Sequence, residues 1–318
     1  MAGEPESFAV TSSLWEPGTP AYRFAHDAMA CEVRITILER EAAVAHDAAQ
    51  EAFEEIDRIE QQLSRFVPGS DVWLISRLAP GTPLTVSICT LECLQLAARV
   101  YQETGGAFDV TVGALRECWR DDEDAILAPG EDELDEARAR TGTGLLEIRE
   151  EDLTVAVKAE GLRVDLGGIG KGYAVDAGAE VLREWDIDTA LITTAGSTYY
   201  AMGCPPGRQG WRLGLEDVQG LAEDMPRFHL RDRALSGSGV RADHMHIIDP
   251  RTGRIVRGTH AAWSAAPSAA LADALSTAFL LMDTRQIEAY CREHRDVGAM
   301  VALLDADRPA LARFGKWE

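Results

Sequence analysis

The chain has 318 residues, of which 46% are hydrophobic, and its 31 Lys and Arg against 53 Asp and Glu leave a net charge of −22. That length supports one large domain or two closely packed ones with a real core, and no apolar run reaches the roughly 18 residues of a membrane-spanning helix. The acidic balance argues against nucleic acid as a partner, since a duplex is repelled. It also means that an anionic ligand must be met locally by backbone amides, a lysine or a cation.

The first residues, MAGEPESFAVTSSLWEPGTP, are acidic and broken by prolines. They lack a basic n-region, an apolar h-region and a cysteine for a lipid, so the expectation is a loose arm over residues 1–20, a single domain over 21–318, no stable membrane insertion and a cytoplasmic location. Residues 22–38 alternate and then run apolar, as a first strand or hairpin does. Residues 42–64 predict an amphipathic helix with Ala49, Ala52, Phe53, Ile56, Ile59 and Leu63 on one stripe. VPGSD ends it, GTPLTVS reads as a turn and short strand, and CTLECLQLAARVYQETGG as a second helix stopped by Gly105 and Gly106. The charged segment from residue 120 to 143 reads as a surface excursion with one short helix, and LLEIREEDLTVAV as strand, acidic turn and strand.

The short apolar run LRV (162–164) then reads as a strand before DLGGIGKGYAVD (165–176), and YAVDAGAEVLREW as a helix. TALITTAGSTYYAMG reads as a buried strand leading to a loop, GWRLGLED and RFHLRDRALSGSG as further strands, and HMHIIDPRTGRIV as strand, tight turn and strand. AAWSAAPSA leads into the helix ALADALSTAFLLM. A last helix and a final strand, GAMVALLD, close the chain. Helix and strand intermix without strict alternation, which predicts an α+β or mixed α/β fold. The six cysteines are scattered, and only Cys89 and Cys93 are close; with no second pair at zinc spacing, they read as packing residues.

Several places offer chemistry, each with a plainer alternative. Gly167, Gly168, Gly170 and Gly172 with Lys171, between an apolar run and a helix, form the kind of turn whose amides cradle phosphate, although the spacing is neither of the standard phosphate-binding patterns. His246 fits either a solvent-facing hairpin residue or a general base. Asp273 and Thr277, at i,i+4, place a carboxylate and a hydroxyl on one helix face, suited to a hard cation or simply to each other. TGGAFDVTVG (104–113) could lay backbone and the Asp109 carboxylate against a planar ligand, or be a helix end and strand start. Phe66 could stack on a ring or pack.

Taken in order, Met29, LSRFVPGSD, TGGAFDVTVG, VDLGGIGKGYAVD, HIIDPRTG and DALSTAF resemble the FAD:protein FMN transferase (ApbE) family, over about residues 25–305. The resemblance implies two intimately packed α/β subdomains with an FAD cleft between them, Mg²⁺ as cofactor, and FAD as substrate. It implies transfer of the FMN half onto a Thr or Ser hydroxyl of a client flavoprotein with release of AMP; some family members hydrolyse FAD to FMN and AMP. By resemblance, Met29 and Phe66 contact the flavin, and Ala107, Phe108 and Asp109 line the FAD site, with Asp109 reaching the adenosine or a ring edge. Gly167, Lys171 and Tyr173 lie along the dinucleotide and Ile248 packs on FAD. The Gly170 carbonyl, Asp273 and Thr277 hold the metal with help from Ser276, and His246, together with Asp273, serves catalysis as the base that activates the client hydroxyl. One departure stands out: Ala195-Gly196-Ser197 occupies the place where the family usually has Gly-Gly-Asp, which leaves a silent FAD-binding protein as the reading opposed to an enzyme. Many family members are exported lipoproteins, whereas the expectation here is a client in the cytoplasm or on the cytoplasmic face of a membrane protein.

Overall fold

The computed structural model describes residues 15, 18–120, 126–194, 197–215, 226–240, 247–256, 260–305 and 308–317. The chain opens on a hairpin, β1 (Ala21–Ala28) and β2 (Cys31–Leu38), turned by Met29 and Ala30 at positive φ of 53° and 58°. Then come α1 (Ala42–Leu63), α2 (Asp71–Ile75), β3 (Leu84–Thr85), α3 (Ile88–Glu103), α4 (Gly113–Cys118), α5 (Glu131–Ala139), β4 (Leu146–Arg149) and β5 (Thr154–Val157). The second half holds α6 (Gly170–Glu184), β6 (Ala190–Thr194), β7 (Thr198–Met202), β8 (Trp211–Gly214), β9 (Arg227–Leu230), β10 (Arg233–Val240), β11 (Ile248–Asp249) and β12 (Arg254–Ile255). It ends with β13 (His260–Ala266), α7 (Ala269–Leu281), α8 (Thr284–Glu293), β14 (Gly298–Asp305) and β15 (Arg308–Gly315).

The frame is a mixed α/β fold built on one eight-stranded sheet in the order β1-β2-β6-β7-β10-β13-β14-β15, every neighbouring pair antiparallel. Side chains alternate across a strand, so a sheet covered on both sides needs apolar residues on both. Ile35, Ile192, Tyr200 and Ala262 join the core beneath α1, α6 and α7. Leu191, Tyr199, Leu235 and Trp263 face the other way, under the β8–β9 hairpin with its Trp211 and Phe228. The amphipathic stripe of α1 is buried as its spacing predicts, from Ala45 to Leu63.

Between β2 and β6 the chain leaves to build a smaller three-stranded sheet, β3-β5-β4, flanked by α2 and α3. Leu94, Val100 and Val155 from this part share one apolar core with Ile56, Val175 and Phe279 from the larger part. Trp15 lies edge-on to Trp211, at 6.2 Å between ring centroids.

Some sequence expectations need correction. LRV is no strand; it makes a single parallel bridge, Val112 to Arg163. TALITTAGSTYYAMG is a hairpin of two buried strands, not one strand and a loop. α6 starts at Gly170, inside the glycine-rich stretch. GAMVALLD is followed by β15 and is not the last strand, and the short helices α2 and α4 lie where turns and a strand start were expected.

Candidate active site

The glycine-rich turn is organised by Asp165. The Gly167 amide donates to its Oδ1 at 2.9 Å, and Arg65 and Arg116 flank its Oδ2 at 3.2 and 3.5 Å. The chain then tightens, with the Ile169 and Gly170 amides both donating to the Leu166 carbonyl, and enters α6. Lys171 reaches back from the first turn, its Nζ donating to the Gly167 carbonyl at 3.0 Å. Among the described residues it has no carboxylate partner. A cation and the positive end of the α6 dipole therefore share one small area of a strongly acidic protein, an arrangement that favours an anion.

Helix α7 crosses that turn. It is buried on nearly all sides because it lies over β10 and β13 on one side and α6 on the other. The crossing with α6 is close: a Cβ on Gly172 would fall 2.3 Å from the Ala269 carbonyl oxygen, so only glycine fits. The Gly172 amide donates to Asp273 Oδ2 at 3.2 Å, and the Ser236 hydroxyl to Asp273 Oδ1 at 3.3 Å. Asp273 is 4% exposed, and among the described residues it pairs with no Lys or Arg. Burying a carboxylate without a positive partner is costly. Hydroxyl oxygens gather on the same side: Ser238 Oγ lies 2.7 Å from Ser276 Oγ and 3.2 Å from Thr277 Oγ1. One carboxylate among hydroxyls and carbonyls suits a hard divalent cation and not a soft one, so this donor set fits Mg²⁺. Among the described residues no three His, Cys, Asp or Glu side chains cluster for a metal.

The glycine that faces this group is Gly168. A Cβ there would lie 3.2 Å from Phe108 and 3.3 Å from Thr277 Oγ1. Gly170 sits behind it, where a Cβ would lie 3.6 Å from the end of Met29. Met29 is fixed by its amide donating to Glu60 at 2.8 Å. So Met29, Phe108, the glycine turn with Gly167 and Lys171, Asp273, Ser276 and Thr277 come together. Ala107 is buried beside Phe108. Phe66, at the end of α1, is 73% exposed, with the Arg65 guanidinium 4.0 Å over its ring.

Three other residues are engaged elsewhere. Both Asp109 oxygens are taken by the amides and hydroxyls of Thr111 and Thr143, at 2.6 to 3.2 Å, and burial pushes its carboxyl above the usual carboxylate range. The Asp109 side chain thus ties its own loop together. The Tyr173 hydroxyl donates to Glu92 at 2.5 Å and lines a groove of about 720 Å³ between α1, α3 and α6, away from Gly168; burial and that carboxylate push its phenol up. Ile248 is half-buried against a small cluster with Leu115 and Trp119. His246, Ala195 and Gly196 lie outside the described residues. Ser197 forms the β6–β7 turn, its amide donating to Thr194.

Sequence reasoning missed Ser236, Ser238 and the facing role of Gly168. The signal for the serines was their alternation in LSGSG: residues two apart on a strand share a face, here the face under α7. The DPRTG turn also has a task. Arg251 pairs with Asp249 at 2.9 Å and donates to the last carbonyl of α7, Leu281, at 2.5 Å.

Known proteins share this arrangement of sequence and fold. An FAD:protein FMN transferase from Treponema pallidum is 28% identical over 300 residues, covering 86% of this chain and 82% of its own. One from Vibrio cholerae is 29% identical over 250 residues, 72% of each chain. The ApbE protein of Thermotoga maritima superposes with a TM-score of 0.81 at 28% identity, covering 93% of this chain and 97% of its own. The apo flavinyl transferase ApbE of Pseudomonas stutzeri, at 22% identity, shares the fold with a TM-score of 0.81, over 93% of this chain and 95% of its own. The sequence pattern of the ApbE family matches residues 29–301, from the β1–β2 turn into β14, and the chain belongs to the ApbE family.

Proposed function

We propose that this chain moves the FMN half of FAD onto a Thr or Ser hydroxyl of a client flavoprotein and releases AMP. The observation that carries the reading is the convergence at the glycine turn: Phe108 and Thr277 meet Gly168, and the buried Asp273, which among the described residues pairs with no Lys or Arg, meets Gly172. Relatives bearing this activity in their names match over most of their length.

In this reading the client oxygen bonds to the phosphorus of the FMN half, the bond to the AMP phosphate breaks, and AMP leaves with its electron pair. Lys171 and the positive end of the α6 dipole offset charge on the pyrophosphate. The exposed ring of Phe66 and the thioether of Met29 offer apolar surface to the flavin. The client hydroxyl must lose its proton as it attacks; His246, close before the DPRTG turn in sequence, is the base we assign, a role worth about 10²–10⁴-fold. Asp273, Thr277, Ser276 and the Gly170 carbonyl are the groups that would hold Mg²⁺, which when bound supplies positive charge to the pyrophosphate oxygens.

The test is direct. The pure protein is incubated with FAD, Mg²⁺ and an FMN-domain client bearing a Thr acceptor, with and without EDTA, and client mass and free AMP are read together. One FMN per client with matching AMP, lost in EDTA, supports transfer. AMP without a modified client moves the reading to FAD hydrolysis, and retained FAD without AMP to a binding protein.

A further inference from the structure

Helix α7 carries the proposed cation donors, and its placement on α6 decides whether Asp273 meets the Gly172 amide. Ser268 already supplies an ordinary cap, its Oγ accepting from the Leu271 amide at 3.3 Å. Yet the two preceding amides are taken by a second helix: Asp176 Oδ1 accepts from Ala269 at 2.6 Å and Oδ2 from Ala270 at 2.8 Å. Asp176 and Gly172 are i,i+4 on α6 and so share the face that meets α7. The opposite end of α7 is held separately by Arg251.

We propose that Asp176 is a positioning residue for the cation site, fixing the first turn of α7 at the height on α6 where Gly172 meets Asp273. This rests on the reading of Asp273 and Thr277 as cation donors. Burial pushes the Asp176 carboxyl up to about 6, against the pull of the two amides and Arg183.

The test uses the full chain with Mn²⁺ as a spectroscopically visible probe of the cation site, in wild type, Asp176→Asn, Ser268→Ala and Asp273→Ala, together with amide exchange at Gly172. Asp273→Ala should abolish binding. Asp176→Asn should weaken it about 10–100-fold, the range for a residue that orients a metal ligand, and speed exchange at Gly172. Ser268→Ala, which loosens the same helix end without touching α6, should bind as wild type. Wild-type binding in folded Asp176→Asn overturns the proposal, as does equal weakening by Ser268→Ala. If wild type binds no Mn²⁺, the cation reading fails on its own, and Gly172 exchange decides the positioning: unchanged exchange in Asp176→Asn overturns it. Should that variant not fold, Asp176→Glu is read in the same way.

Discussion

Replacing Gly172 with alanine sets helix propensity against packing. Alanine should favour α6 by about 1 kcal/mol. However, its methyl would lie 2.3 Å from the Ala269 carbonyl oxygen, 2.5 Å from that carbonyl carbon and 2.7 Å from Ala270 Cα. All three neighbours are backbone and cannot swing aside, so the helices must part by about 1 Å to restore an ordinary contact. The Gly172–Asp273 bond is already 3.2 Å long and would be lost by that movement. Overpacking costs about 1–3 kcal/mol and a hydrogen bond to a charged acceptor about 1.5–3 kcal/mol, so the net loss should be about 3 kcal/mol. Urea unfolding of Gly172→Ala measures it, with Gly144→Ala as the control, since a methyl there meets nothing within 4 Å. Stability equal to or above wild type would refute the close crossing of α6 and α7.

Other expectations concern the ligands and pH. Asp273→Ala should sharply raise the Mg²⁺ concentration needed for half-maximal AMP release; an unaltered titration removes Asp273 from the metal. Phe66→Ala should weaken FAD binding by about 1–3 kcal/mol in calorimetry if the ring stacks, with little change in melting temperature because the ring is exposed. His246→Ala should bind FAD nearly as wild type and transfer no FMN, and unchanged transfer would end its assignment as base. Asp176 is raised from 3.8 to about 6, so the folded chain keeps a proton that the unfolded chain has released across that window. Its contribution to stability is therefore present at low pH and lost as pH rises through about 6, at most roughly 3 kcal/mol. Relative to Asp176→Asn, wild type should lose stability as pH rises from about 3.8 to about 6 and level off above that; a difference that does not vary with pH contradicts the shift.

Local signals in the sequence carried far. The α1 stripe, the first hairpin and the glycine turn were legible because each is written in neighbouring residues. The β6–β7 hairpin was not, because strands buried on both faces lose the alternation that marks a half-exposed strand. The site divides the same way. Asp273 and Thr277 share a helix face by spacing alone. Asp109 and Tyr173 looked free to meet a ligand until distant partners claimed them, Thr143 34 residues on and Glu92 81 residues back. Which of four glycines faces Thr277 depends on how α7 crosses α6, and no spacing within the motif encodes that.

The pairing of β2 with β6 has a consequence for how the molecule is made. Residues 33–37 must wait for residues 190–194, and the strands beyond wait for α7, which lies near the end of synthesis. Such distant pairings are slow to form and leave apolar edges bare meanwhile. The glycine turn and α7 thus arrive at different times on the ribosome. A nascent chain that has finished its glycine turn still lacks Asp273, and the turn meets that carboxylate only once α7 has closed over α6.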